Sequence, residues 1–223
     1  MKTPAIIVNF KAYAEALDSN GLRLAKACDL VAKESGANII VAPQHIDLRE
    51  IKSETAIPVF SQHIDPVEKA GAYTGHTVAE NLKSFGVDGS LINHSEKKVQ
   101  MADVEKSVGI LKKFGLVSVC CAASVVEAEQ VAKFGPDFIA IEPPELIGSG
   151  VSVSASRPEI VVNCVEAVRR INPQVAVLCG AGITKGADVK RSLELGAKGI
   201  LVASGVVKAV DPQKVLEDFV RNI

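Results

Sequence analysis

Eight short apolar runs, separated by segments of helical periodicity, constrain this chain more than any other feature: Ala5–Val8, Asn38–Ala42, Pro58–Ser61, Gly89–Ile92, Val117–Cys120, Phe138–Ile141, Val175–Leu178 and Gly199–Val202. Each is apolar at nearly every position rather than at alternate ones, which is the pattern of a strand covered on both faces. Between them, Gly21–Glu34 gathers Leu22, Leu24, Ala25, Ala27, Cys28, Val31 and Ala32 on one stripe, and Val125–Ala132, Glu159–Ile171, Ala187–Leu195 and Pro212–Val220 behave alike. Ser124 and Ser156 are predicted helix N-caps and Gly196 a helix stop. Strands alternating with helices demand a parallel sheet, either open and doubly wound or closed. The reading adopted is an α/β chain whose residues 1–223 form one domain, a closed (β/α)8 barrel. Such barrels usually run to about 250 residues. At 223 residues this one predicts shortened helices, expected after the second and fourth strands.

Charge and cysteine usage exclude several functions. The formal net charge is −1, so nothing in the overall balance attracts nucleic acid or an anionic membrane, and a phosphorylated ligand would need a local site. No apolar run approaches the roughly 18 residues of a membrane span. The N-terminus lacks the basic start and small-residue cleavage site of a signal peptide and reads as a buried strand. The five cysteines form no CxxC pair and are odd in number, which fits reduced thiols and a cytoplasmic location. The four histidines are dispersed without metal-ligand spacing, so no metal site is expected.

In parallel α/β folds the chemistry lies just beyond the C-terminal ends of the strands. The first run ends Asn9-Phe10-Lys11, the third Gln62-His63, the fourth Asn93-His94-Ser95-Glu96 and the sixth Glu142-Pro143-Pro144. A lysine, a histidine and a glutamate from separate strands can therefore face one mouth. The seventh and eighth runs end in small-residue turns, Gly180-Ala181-Gly182 and Ala203-Ser204-Gly205, where backbone N–H groups can hold phosphate. Each residue alone has an ordinary reading: a solvated lysine, a hydrogen-bonded structural histidine, a salt-bridged glutamate, a steric glycine. It is their joint occurrence, in this order, that points to chemistry.

Together the segments resemble the triosephosphate isomerase family, in a short, archaeal-like form. Asn9-Phe10-Lys11 resembles its N-x-K, and Ile92-Asn93-His94-Ser95-Glu96-Lys97 its I-x-H-S-E-[RK]. Ile141-Glu142-Pro143-Pro144-Glu145-Leu146-Ile147-Gly148-Ser149-Gly150 resembles the catalytic glutamate and flexible lid. Gln62 and Gly71-Ala72-Tyr73-Thr74-Gly75 resemble the third-strand end and the loop that inserts into a neighbouring subunit. The matches run from Asn9 to Ser204. Departures include Glu145 where most bacterial and eukaryotic members carry tryptophan, Gly182 where many carry serine, Ala203-Ser204 where many have two glycines, and Cys121-Ala122-Ala123 in place of the usual x-G-E after Cys120.

The resemblance implies a TIM barrel that interconverts D-glyceraldehyde 3-phosphate and dihydroxyacetone phosphate in glycolysis and gluconeogenesis. It implies Glu142 as base, His94 as electrophile and Lys11 as the stabilising charge. It implies substrate contacts from Asn9, Lys11, Ile147, Gly148, Gly182, Ala203 and Ser204, with Glu96 as a buried partner of Lys11. Gln62 and Thr74 would serve assembly into a homo-oligomer, a tetramer being favoured over a dimer. Two rivals stand beside this reading: another phosphate-handling barrel such as a sugar-phosphate epimerase, and a barrel that binds a triose phosphate without turnover.

Overall fold

The computed structural model describes residues 2–223. Eight parallel strands run β1 Ala5–Asn9, β2 Asn38–Ala42, β3 Phe60–Ser61, β4 Gly89–Ile92, β5 Val117–Ala122, β6 Phe138–Ile141, β7 Ala176–Gly180 and β8 Gly199–Val202. Hydrogen-bonded neighbours follow the order β2-β1-β8-β7-β6-β5-β4-β3. A parallel bridge between Val41 and Val59 joins the two outer strands of that order and nearly closes the sheet into a barrel.

The uninterrupted apolar runs are explained by two cores. Ile7, Ile40, Phe60, Leu91, Val119, Phe138, Leu178 and Leu201 point into the barrel. Their strand neighbours Ile6, Val8, Ile39, Val41, Ile92, Cys120, Ile139 and Val177 point outward, into the layer beneath the helices. Since successive side chains on a strand take opposite faces, a strand with two apolar environments must be apolar throughout.

The helices are α1 Ser19–Ser35, α2 Leu48–Glu54, α3 Ala79–Ser84, α4 Met101–Lys113, α5 Val125–Ala132, α6 Val153–Ser156, α7 Pro158–Ile171, α8 Gly186–Glu194, α9 Ser204–Val207 and α10 Pro212–Val220. Ser124 caps α5 as expected, its side chain accepting from Glu127 N. Ser156 does not cap α7. It ends α6, its hydroxyl donates to Ser152 O, and Arg157 stands at the α7 N-cap with Pro158 opening the helix. The helix after β2 is short, at 7 residues, but the one after β4 is not, at 13 residues. The second abbreviated helix follows β3 instead, with 6 residues, because the chain first runs through a long segment over 62–78 whose tip is exposed. No helix among the described residues is long and apolar enough to cross a membrane.

Candidate active site

The C-terminal ends of β1, β4, β6, β7 and β8 open on a cavity lined by Asn9, Lys11, Tyr13, His94, Glu142, Ile147, Gly148, Gly182, Ala203 and Ser204, among others. Parallel strands bring these residues together although they are up to 195 positions apart in sequence, 204 − 9.

Lys11 follows β1 in a left-handed conformation, φ 50°, unusual for a residue with a side chain. Three contacts hold it there. Its N–H donates to Asn9 Oδ1 at 3.0 Å, and its carbonyl accepts from Gln44 Nε2 at 2.7 Å and Gln62 Nε2 at 3.0 Å. The turn aims the ammonium inward, where it meets Glu96 Oε1 at 2.7 Å. The expected burial of this pair is one-sided: the lysine side chain is 9% exposed and the glutamate 56%. Glu96 lies in a short 3-10 turn on the rim, open to solvent, so the pair costs little desolvation on the acidic side.

His94 leaves β4 with its ring buried. Its Nδ1 lies 3.2 Å from Glu96 N and accepts that N–H, which fixes the proton on Nε2 and points an N–H donor at the cavity. Burial, then the Lys11 charge, lower its pKa to about 4. The ring is therefore neutral at physiological pH. Asn93, at φ 61°, sets the turn: its amide donates to Cys121 O at 3.0 Å and Glu127 Oε1 at 2.8 Å, and its carbonyl accepts from Val99 N at 3.2 Å.

Glu142 continues β6 for one more residue, its N–H donating to Ala122 O at 2.9 Å. The side chain lies across Gly180, where an added Cβ would stand 2.9 Å from the carboxyl carbon. One carboxylate oxygen, Oε2, is fully buried and has no hydrogen-bond partner among the described residues. It sits 3.6 Å from His94 Nε2. Burial raises the Glu142 pKa to about 7, against the opposing pull of the Cys121 thiol and the Lys11 charge. A buried carboxylate with one unpaired oxygen and a pKa raised toward neutrality is suited to take up a proton.

On the opposite side the cavity is made of backbone. Ala181 and Gly182 both have positive φ, 73° and 72°, and Asp188 Oδ2 secures the turn beyond them by accepting from Thr184 N at 3.0 Å and Lys185 N at 3.2 Å. Among the described residues the N–H groups of Gly148, Gly182, Ser204 and Gly205 meet no acceptor within the chain. Converging free N–H groups at a turn and a short helix start suit an anion.

The remaining expected site residues divide. Gln62 serves its own chain, bridging Lys11 O and Ala42 O. Thr74 lines neither the cavity nor the wider depression beside it; it lies on the exposed segment with Tyr73 and His76. Sequence reading missed Asn93, Gln44, Glu127 and Tyr13. Only Asn93 carried a signal, because asparagine tolerates a left-handed turn beside a strand end. Cys120 is buried, with its thiol pKa pushed up by that burial, as expected of a core residue.

Fold and mouth together define a (β/α)8-barrel enzyme with a lysine, a histidine and a glutamate gathered at its C-terminal face. The triosephosphate isomerase family model matches residues 4–222. The chain is 50% identical over 223 residues, all of both chains, to the triosephosphate isomerase of Methanothermus fervidus, and equally so to that of Methanosarcina barkeri. It is 47% identical over 218 residues, 98% of this chain and 99% of the other, to that of Methanocaldococcus jannaschii. The chain belongs to the triosephosphate isomerase family, whose members are intramolecular aldose–ketose isomerases.

Proposed function

We propose that the chain interconverts D-glyceraldehyde 3-phosphate and dihydroxyacetone phosphate by proton transfer through an enediolate. The observation that carries this reading is the buried, unpartnered Oε2 of Glu142 lying 3.6 Å from a histidine kept neutral by its surroundings. A proton beside a carbonyl is weakly acidic, so removing it needs a base of matched pKa and donors aimed at the developing oxyanion. Glu142 takes the proton from one carbon and returns it to the next. Neutral His94 donates from Nε2 to the substrate oxygens and Lys11 adds positive charge. This is the division of labour for which triosephosphate isomerases are known. Asn9 keeps Lys11 in its left-handed turn.

The substrate phosphate rests on N–H groups of Gly148, Gly182, Ala203 and Ser204. Backbone donors are rigid and have no pKa to lose. Ile147 and Gly148 close with the segment after Glu142, excluding water from the enediolate. The proposed steps draw on side chains and backbone alone, without a cofactor. The role that fits is in glycolysis and gluconeogenesis, in the cytoplasm, as a homo-oligomer. The segment around Thr74 would cover the depression beside Lys11 in a neighbouring copy, with a tetramer favoured.

The test is turnover of glyceraldehyde 3-phosphate with chelator present and nothing added. Efficient conversion supports the reaction and its independence of exchangeable metal. A folded chain that binds inorganic phosphate yet converts nothing overturns the reading.

A further inference from the structure

The segment after Glu142 is closed on itself. Leu146 N donates to Pro143 O at 3.0 Å, Ile147 N to Pro144 O at 3.2 Å and Ser149 N to Leu146 O at 3.2 Å. Ser149 Oγ adds a bond to Leu146 O at 2.8 Å and accepts from Val151 N at 3.1 Å. All of these bonds begin and end within 143–151, so the segment holds its shape as a unit. Among the described residues, one side-chain hydrogen bond ties it to the body: Arg157 Nη1 donates to Glu145 Oε1 at 2.6 Å.

Arg157 belongs to the fixed frame. It forms the corner between α6 and α7, its N–H on Val153 O at 2.9 Å and its carbonyl accepting from Ile160 N at 3.0 Å. That corner is anchored in turn, because Ser154 Oγ donates to Asp188 O at 3.2 Å. At its far end the segment rests on Gly182, where an added Cβ would lie 2.7 Å from Ser152 N and closer still to Val151. The segment is thus held by backbone seating at one end and one ion pair at the other. In this position Ile147 and Gly148 line the cavity.

We propose that Glu145 and Arg157 form a clasp that biases the segment toward its closed position, making both positioning residues for the isomerisation. The kinetic half of this inference rests on that reading. The clasp is half in water, with side chains 51% and 47% exposed. A covering segment that opens in each catalytic cycle needs a bias of this modest, salt-sensitive kind; a buried pair would resist opening and carry a desolvation cost. With the clasp broken, the enediolate meets water more often. It can then expel phosphate: the C–O bond breaks, its electron pair leaves on the phosphate oxygen, and the enol left behind gains a proton on its terminal carbon and gives up its hydroxyl proton to water, becoming a three-carbon ketoaldehyde. Loss of phosphate relative to isomerisation therefore reports closure.

The experiment pairs amide hydrogen exchange across 143–151 with that product ratio. It compares Glu145→Ala, Arg157→Ala, the double variant, the charge exchange Glu145→Arg with Arg157→Glu, and a control, Arg170→Ala, which breaks an exposed pair with Glu129 away from the mouth. Each single variant should raise exchange and phosphate loss about two- to fivefold, the range an exposed pair supports. The double variant should add nothing, the charge exchange should recover most of the loss, and the control should match the parent chain. High salt should move the parent toward the variants and leave the variants unmoved. Unchanged exchange in Arg157→Ala, or singles that simply add in the double variant, overturns the clasp. If the parent converts no triose phosphate, the isomerase reading fails while the exchange measurement still decides the clasp.

Discussion

The two sides of the mouth are built from different materials. On the β1, β4 and β6 side, the working atoms belong to buried ionisable side chains: Lys11, His94 and Glu142 are each less than 10% exposed. On the β7 and β8 side they belong to the main chain, in turns of glycine, alanine and serine. A group that must change charge during a reaction has to be a side chain, with a pKa set by its surroundings. A group that only holds a dianion does better as an amide, which cannot titrate and sits where the fold puts it. On the proposed function, chemistry and grip are separated across one cavity.

The largest expected effect sharpens this contrast on the side-chain half. Glu142→Gln should lower kcat by about 10²–10⁴-fold with KM little changed, measured by steady-state conversion of glyceraldehyde 3-phosphate. Turnover near that of the parent chain would remove Glu142 from the reaction. Lys11→Gln should follow, with about 10²–10³-fold lost from kcat/KM, because it takes away a charge aimed at the transition state. In the same half, kcat/KM should fall about tenfold for each pH unit below Glu142's pKa of about 7, and His94, at about 4, should add no step near neutrality.

The backbone half should break differently. Gly182→Ala forces a side chain onto the main chain of Val151 and Ser152 at a left-handed position. A strained position of this kind costs about 1–3 kcal/mol, which puts the loss in affinity for inorganic phosphate and for substrate at about tenfold, with kcat changed less. Were kcat to collapse while phosphate binding held, the two halves would not be separable. The remaining effect concerns stability. Glu142 has a folded-state pKa of about 7 against an ordinary 4.5, so between those values the folded chain binds more protons than the unfolded one, and stability falls as pH rises through the window. Glu142→Gln removes that term. Its melting temperature relative to the parent should climb from pH 4.5 to pH 8 by about 6–12 °C, the shift expected for roughly 3 kcal/mol, or about 2.5 pKa units, in a chain of this size. A pH-independent difference would show that Glu142 is not strained by its burial.

The same division decided what the amino-acid sequence revealed. Strand runs were legible because two apolar environments leave no polar position, and Lys11, His94 and Glu142 stood out because each is a reactive letter within three residues of the end of such a run. The helix lengths were not legible around β3 and β4, where the count depends on how far the 62–78 segment strays before turning back. Ser156 misled for a related reason: α6 and α7 abut, and the helix start lies one residue on, at Arg157 and Pro158. The supports of the site were hidden more deeply. Gln44 and Gln62 act on a carbonyl, Asn93 acts through a turn, and Glu127 reaches Asn93 from α5 at 2.8 Å. None of these has a sequence spacing of its own, because each follows from where strands happen to be neighbours.

β3 is only two residues long, and where it meets β2 the ladder shrinks to the Val41–Val59 bridge. Side chains finish the join: Gln62 Nε2 donates to Ala42 O at 2.9 Å, Gln44 Nε2 to Gln62 Oε1 at 3.1 Å, and Ser61 Oγ meets His45 Nε2 at 2.8 Å. The barrel therefore has a seam, laced with amides rather than woven from strands. Those same two glutamines pin the carbonyl of Lys11. Weakly laddered joins open before well-paired ones, so on warming the seam should loosen first and slacken the left-handed turn that aims the ammonium. Loss of turnover should then precede loss of the far-ultraviolet circular dichroism signal; coincident transitions would show that the seam is no weaker than the rest of the wall.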